Sequence, residues 1–257
     1  MGKLFFFCIC CHCWCETGRI IIPCTFCSFH GQSHTRLKSS RYGCYLRGVY
    51  YGCLVYDDDI LLLSPSVCLM QKMLDICESF ADDCDMRFNC TKSFALRIGP
   101  RFLCNYAALT LCGEPLIYAT SVKYLGVYLT AAKSFKCSYD HIKLKFYRTF
   151  NALYSRSKAS NSERVCLELF RSYCLPFLLY AVESTARKAV RMLNRCIDSA
   201  VMKIFKLKSF ENTAFIRMCV GLSDVGIVIK NRFLNFISKL QAQHYSSDLL
   251  DLCFCEL

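Results

Sequence analysis

The sequence predicts an α+β fold, in which strands with one helix give way near residue 131 to a bundle of basic helices. Three observations carry this. Two short β-prone runs, 50–56 and 60–64, flank Asp57, Asp58 and Asp59. Between residues 66 and 84 the apolar positions change to steps of three and four, the period of a helix face. Beyond Lys133 that period recurs in further stripes while the charge changes sign. The expected organisation is a cysteine-rich segment over 1–34, a strand-rich part over 35–131 and a basic helical region over 132–257.

In chain order, residues 20–29 are apolar around Pro23. Residues 41–49 carry Gly43 and Gly48 between β-formers, the pattern of a hairpin. The runs 50–56 and 60–64 read as strand, tight acidic turn, strand. Aspartate tolerates turn geometry, and apolar flanks on both sides need a sheet to bury them. A helix is expected to begin at Ser66, with Leu69, Met73, Ile76, Phe80 and Cys84 as its apolar stripe. Residues 86–96 return to extended structure, and VKYLGVYL at 122–129 is another β-prone run, with Gly126 marking a bulge or a close backbone approach. Ile142, Phe146, Phe150 and Leu153 define one later helix. Val165, Leu169 and Tyr173 define a second that ends near Pro176, and Val190, Leu193, Ile197, Val201 and Ile204 define a third. Phe233, Phe236, Ile237 and Leu240 suggest a last short one.

With 54% apolar and 20% charged residues in 257, the chain is no disordered tail. Its net charge of +12 is unevenly spread. From Asp57 to Asp85 eight acids face one base, a net −7, whereas from Lys133 to Lys208 sixteen bases face five acids, a net +11. An acidic centre followed by a basic stretch suits metal in one place and phosphate in another; the plain alternative is two solvated faces. The 22 cysteines fall on apolar periodic positions such as Cys53, Cys77, Cys166, Cys174 and Cys196, as small hydrophobes rather than a secreted disulfide framework. That points to a reduced, intracellular chain, with nucleus and cytoplasm undistinguished. Leu4 to Cys11 imitates a signal peptide but lacks a small-x-small cleavage site, and no stretch reaches the roughly 18 apolar residues of a membrane span.

Three adjacent carboxylates repel one another, and a hard divalent cation turns that repulsion into affinity. A polymerase-type site uses two such ions, held by carboxylates on neighbouring strands. The flanks favour this over a solvated turn. YGCLVYDDDILLLS resembles the Tyr-x-Asp-Asp block of reverse transcriptases, and the longer string is similar to that of the LINE-type, non-LTR retrotransposons. Asp57 stands where the family usually has alanine. SVCLMQKMLDICESFADDCDMRFNCTKS is similar to the helix and Asn-x-x-Lys turn that follow, with Asn89 and Lys92 in place. VKYLGVYL resembles the primer-grip region at Lys123, Tyr124, Leu125 and Gly126, and residues 140–184 resemble the thumb. TGRIIIPCTFC overlays the block near the incoming nucleotide only at Gly18, Ile20 and Pro23, while Thr17, Arg19 and Ile22 depart from it.

The resemblance, spanning roughly residues 17–245, implies a partial polymerase palm, an antiparallel hairpin or sheet with a packed helix, followed by an α-helical thumb-like bundle. It implies RNA-directed DNA synthesis, a nucleotidyltransferase reaction on an RNA template and DNA primer with Mg²⁺ or Mn²⁺. Asp58 and Asp59 would be catalytic metal ligands with Asp57 beside them, Tyr56, Lys92, Lys123 and Gly126 would meet nucleotide or primer, and no membrane is involved. In the family a further aspartate on a preceding palm strand completes the metal site. This chain is expected to begin too late to hold that strand or the fingers, to bind Mg²⁺ weakly, and not to polymerise alone.

The alternative is a non-catalytic nucleic-acid-binding remnant, or a translated relic without function. Lys143, Lys145, Arg148, Arg156, Lys158 and Arg164, interleaved with Tyr147 and Tyr154, could track a phosphate backbone and stack on bases, or form a solvated face. Cys24, Cys27, His30 and His34 are zinc-ligand types, but two residues separate the pairs where known modules place about a dozen, so coincidence is the simpler reading. No Ser-His-Asp pattern, Walker loop or Rossmann fingerprint is present, and His141 and His244 sit singly.

Overall fold

A computed structural model describes residues 5–11, 13–15, 34–46, 48–56, 59–84, 86–105, 107–157, 162–184, 187–210 and 212–242. The fold is mixed α and β, and it divides into two compact units, 1–136 and 137–257.

The first unit is built on a five-stranded sheet. Its strands are β1 (Phe5–Cys11), β5 (Cys53–Tyr56), β6 (Asp59–Ser64), β8 (Phe94–Ile98) and β11 (Ile117–Tyr118), in the order β11-β8-β1-β6-β5. The acidic hairpin forms as the apolar flanks require. β5 and β6 pair antiparallel, with Cys53 opposite Leu62 and Tyr56 opposite Asp59. Asp59 is therefore the first residue of a strand and not part of the turn; Asp57 and Asp58 lie outside the described residues.

The unbroken run Ile60, Leu61, Leu62 is 2%, 5% and 0% exposed, the signature of an interior strand covered on both faces. Its second neighbour is β1, which pairs antiparallel with β6 from Phe6 opposite Ser64 to Cys11 opposite Asp59. The same strand pairs on its other side with β8, from Phe5 opposite Ile98 to Ile9 opposite Phe94. Residues that the sequence reading sets apart in a cysteine-rich segment thus occupy the middle of the sheet. β2 (Cys13–Cys15) pairs with β7 (Met86–Phe88).

Helix α1 covers residues 34–40, and β3 (Tyr45–Leu46) and β4 (Val49–Tyr50) form the expected hairpin. Helix α2 (Val67–Asp83) begins as the sequence indicates: the Ser66 hydroxyl caps it by accepting from the Leu69 amide at 3.2 Å. The buried face is Met70, Met73, Leu74, Cys77, Phe80 and Ala81. Leu69 and Ile76 lie half-buried on its flank, and Cys84 is exposed beyond the helix end, so the stripe is rotated by about one residue from the expected one. A long side chain leans over the preceding turn, so the stripe that meets the sheet is offset from a plain count of apolar letters. α2 shares one core with Leu37, Cys53, Ile60, Leu62, Ala95 and Leu111.

Residues 86–96 are not one extended run. β7 and β8 are separated by a 3-10 turn, Cys90–Lys92, capped by Asn89. Residues 122–129 are likewise not one run but a hairpin, β12 (Ser121–Tyr124) with β13 (Val127–Thr130). Leu125 and Gly126 both have positive φ, 43° and 81°, the mirror-image turn that suits strand twist. The glycine is there for the turn, not for a bulge. A second small hairpin joins β9 (Thr110–Leu111) and β10 (Glu114–Pro115).

The second unit is helical. Its helices are α3 (Asp140–Ser157), α4 (Glu163–Leu169), α5 (Leu175–Leu178), α6 (Arg187–Ile204), α7 (Thr213–Cys219) and α8 (Val225–Ala242). The stripe expected on α3 is the buried one, with Ile142, Phe146 and Phe150 inside. Phe170 meets Phe146 and Phe150 edge-on at 6.1 and 6.0 Å between ring centres, an arrangement favoured by ring quadrupoles.

The next stripe differs from expectation. Val165 and Tyr173 are exposed, and the buried positions are Leu167, Phe170, Cys174 and Leu178. Pro176 has no N–H to give Ser172, and its ring would crowd that carbonyl. The chain widens into a π turn over Phe170–Cys174, where the Leu175 amide bonds to the Phe170 carbonyl, and α5 continues past the proline. α6 buries Leu193, Cys196, Ile197, Ala200, Val201 and Ile204. α8 is eighteen residues long rather than short, and it buries Val225, Ile237 and Leu240 while Phe236 stays half-exposed. α7 has no counterpart in the sequence reading.

Burial pushes the Cys174 thiol from an ordinary 9.0 up to about 11. The folded chain therefore keeps a proton that the unfolded chain releases, and stability falls as pH rises from about 9 to about 11. The denaturation midpoint is expected to drop over that interval, with a shallower slope in Cys174→Ala. The slope persists in part because burial also raises Cys196 and Tyr50.

Candidate metal and nucleic-acid site

The acidic hairpin places Asp59 where strand β6 leaves the core. Ile60 is buried, while Asp59 next to it is only half-buried and Tyr56 opposite is 63% exposed. A carboxylate at this junction remains hydrated while its strand stays inside, which avoids the cost of a buried unpaired charge. Of the three aspartates only Asp59 can be located; Asp57 and Asp58 follow Tyr56 outside the described residues.

The strand beside β6 decides what this end of the sheet can hold. β1 reads FFFCICC and carries no carboxylate, and the position in register with Asp59 is Cys11. Carboxylates suit Mg²⁺ or Mn²⁺, but thiols are soft donors that do not. The neighbouring strand thus adds no oxygen-donor side chain in register with Asp59. Among the described residues no group of three or more His, Cys, Asp or Glu side chains is placed to hold a metal ion.

Lys92 lies on the turn after β7. Asn89 shapes that turn: its side-chain oxygen accepts from the Lys92 amide at 3.1 Å and from the Thr91 hydroxyl at 2.7 Å, and its carbonyl accepts from the Ser93 hydroxyl at 2.8 Å. The Lys92 side chain is exposed, and no ion pair joins it to Asp59. Lys123 and Gly126 are exposed at the tip of the β12–β13 hairpin, beside Tyr124 and Leu125.

In the helical unit, Lys143, Lys145, Arg148 and Arg156 are exposed on α3, and Arg164 is exposed on α4. Lys158 lies outside the described residues. Helical spacing puts Arg148 opposite the buried stripe, with Lys143 on one flank and Lys145 and Arg156 on the other. The bases form a broad convex face, not a single track. Lys145 sits 4.3 Å from the centre of the Phe177 ring.

Tyr147 and Tyr154 do not point outward for base stacking. Tyr147 donates to the Ser199 hydroxyl at 3.5 Å, and its phenol is pushed up by burial. Tyr154 lies 5.9 Å from Phe150 with near-parallel planes, and Lys203 caps its ring at 5.1 Å. Of the zinc-type residues, Cys24, Cys27 and His30 lie outside the described residues, as does His244. His34 opens α1 and meets the Tyr50 ring edge-on at 5.7 Å.

The sequence reading does not find Arg217. On α7 and only 7% exposed, it bonds Asp198 at 2.8 Å, Asn194 at 3.0 Å and the Ser223 carbonyl at 2.7 Å. Asn194 also accepts from the Val225 amide at 3.1 Å, so one guanidinium ties α6, α7 and the start of α8. Arg217, Asp198, Asn194 and Ser223 line a cleft of about 610 Å³ with Phe210 and Ile227. The partners come from scattered parts of the chain with no shared period, and no sequence pattern marks them.

No protein-family model matches the chain, and no curated protein matches it.

Asn89→Ala removes the cap of the Lys92 turn. It is expected to cost about 1 kcal/mol in chemical denaturation, within the range of side-chain capping losses.

Proposed function

We propose that the chain is the palm and thumb portion of a reverse transcriptase of the LINE type, an RNA-directed DNA polymerase by descent. The observation that carries this reading is the antiparallel hairpin around Asp57, Asp58 and Asp59. It is built on an interior apolar strand, a helix packs behind it, and a basic helical unit follows. Asp58 and Asp59, with Asp57 adjoining, are the residues to hold Mg²⁺ or Mn²⁺, whose role when bound would be to activate the primer hydroxyl and stabilise the leaving oxygen. Tyr56, Lys92, Lys123 and Gly126 are the candidates to meet nucleotide and primer.

By itself the chain is not expected to polymerise. Two-metal chemistry draws carboxylates from adjacent strands, and the strand beside β6 is FFFCICC. Purified protein with a primed RNA template, deoxynucleotides and Mn²⁺ or Mg²⁺ is expected to give no extension. Template-dependent product that Asp58→Asn abolishes would show that the hairpin suffices and overturn this part of the reading.

A second reading, nucleic-acid binding without catalysis, is favoured by the exposed bases Lys143, Lys145, Arg148, Arg156 and Arg164. Such binding is expected to be electrostatic and independent of base identity, because the neighbouring tyrosines are occupied within the bundle. Retention on single-stranded RNA should fall steeply between low and physiological salt and weaken in Arg148→Gln/Arg156→Gln. Retention indifferent to salt would remove this reading.

A further inference from the structure

We propose that Cys90 and Cys112 form a reversible disulfide that staples the turn carrying Lys92 to the β9–β10 hairpin. The two thiols come from separate segments and meet at one place. Cys90 Sγ lies 3.3 Å from the Leu111 carbonyl, the residue before Cys112, and 3.9 Å from the Phe88 carbonyl. Cys112 follows across that same peptide bond, so its side chain leaves the backbone beside Cys90 Sγ; burial raises the Cys112 thiol and the neighbouring Cys90 lowers it.

The hairpin is held in position for this. Gln71 on α2 donates to the Thr110 carbonyl at 3.0 Å and accepts from the Thr110 amide at 2.9 Å. The Cys112 amide donates to Glu78 at 2.6 Å. Cys112 also occupies an unusual backbone position. Together with Gly113 it forms the two-residue turn, at φ 51° and 76°, where asparagine or glycine is the ordinary choice. A β-carbon held there, one peptide bond from the carbonyl that Cys90 Sγ touches, is what a cross-link between the two loops requires.

The chemistry needs a low-molecular-weight disulfide such as oxidised glutathione. Cys112 is exposed and Cys90 half-buried, so Cys112 meets the oxidant first. Its thiolate attacks one glutathione sulfur, breaks that S–S bond and releases one glutathione thiolate, which takes up a proton. Cys90 then attacks the Cys112 sulfur of the mixed disulfide and releases the second glutathione. Two protein thiols are oxidised and one glutathione disulfide is reduced to two thiols. Burial and the nearby Glu78 carboxylate hold the Cys112 thiol up, so the first step speeds as pH rises. The proposal stands apart from the polymerase reading, since it uses only the contact between these two loops.

The test is peptide mapping of the reduced full-length chain after exposure to less than one equivalent of oxidised glutathione, quenched by alkylation. A linked Cys90–Cys112 peptide should be the first disulfide to appear, at a rate rising about tenfold per pH unit near neutrality. It should revert with dithiothreitol and be absent in Cys112→Ser. A Cys112–glutathione adduct that persists while Cys90 remains alkylatable would overturn the proposal. So would either cysteine pairing first with a third. The wild-type map decides the matter even if the variant folds poorly.

Discussion

The pairing of Asp59–Ser64 with a strand on each side is the constraint on which the first unit depends. A strand with apolar residues on both faces cannot stand at a sheet edge without exposing side chains and backbone groups together. Burying Ile60, Leu61 and Leu62 contributes on the order of 1.5–3 kcal/mol each, and only neighbours on both sides satisfy their amides and carbonyls while that happens. Once β5 and β1 flank this strand, α2 has a surface to cover and Asp59 is carried to the sheet's end, where water returns. The position of Asp59 is a consequence of what its strand must bury.

In the second unit the corresponding constraint is a mixed one. An aromatic cluster of Phe146, Phe150 and Phe170 fills the centre, and the buried Arg217 joins α6, α7 and the start of α8. A charge at that depth is tolerated because Asp198, Asn194 and two backbone carbonyls receive it. With α3 committed inward through its phenylalanines, its lysines and arginines have only the outer face left. The basic surface therefore arises from packing, and the same packing engages the half-buried Tyr147 and Tyr154 with Ser199, Phe150 and Lys203.

Much of this was legible wherever the signal is local. The acidic hairpin follows from two β-prone runs around the aspartates, α3 and α6 follow from the 3.6 period, and the Ser66 cap marks the start of α2. The departures have two causes: packing partners that a window of sequence does not contain, and local turns whose effect on the chain has two readings in the sequence. The face of α2 is set by the sheet beneath it. The helix after Ser162 shifts its buried stripe because Pro176 forces a π turn within a continuing helix. In the run 122–129, Gly126 looks like an interruption in a strand, and it proves to be the second residue of a turn. Of the candidate site, Asp59 lies on the hairpin that composition suggested, Lys92 on a turn that the resemblance alone implied, and Lys123 and Gly126 on a hairpin where one strand was expected; Arg217 and the Cys90–Cys112 pair join residues with no common pattern.

The amino-acid sequence by itself determined the local elements: two apolar runs around an acidic bend, a capped amphipathic helix, and basic helices with apolar stripes. Those depend on turn chemistry and side-chain spacing within a few residues. Only the tertiary structure decided what lies beside the acidic strand. β1 reaches β6 from some fifty residues away through backbone hydrogen bonds, which any side chains except proline can make. Strand neighbours are chosen by burial and register across the whole unit, so the absence of a carboxylate opposite Asp59 could be read only once that neighbour was known.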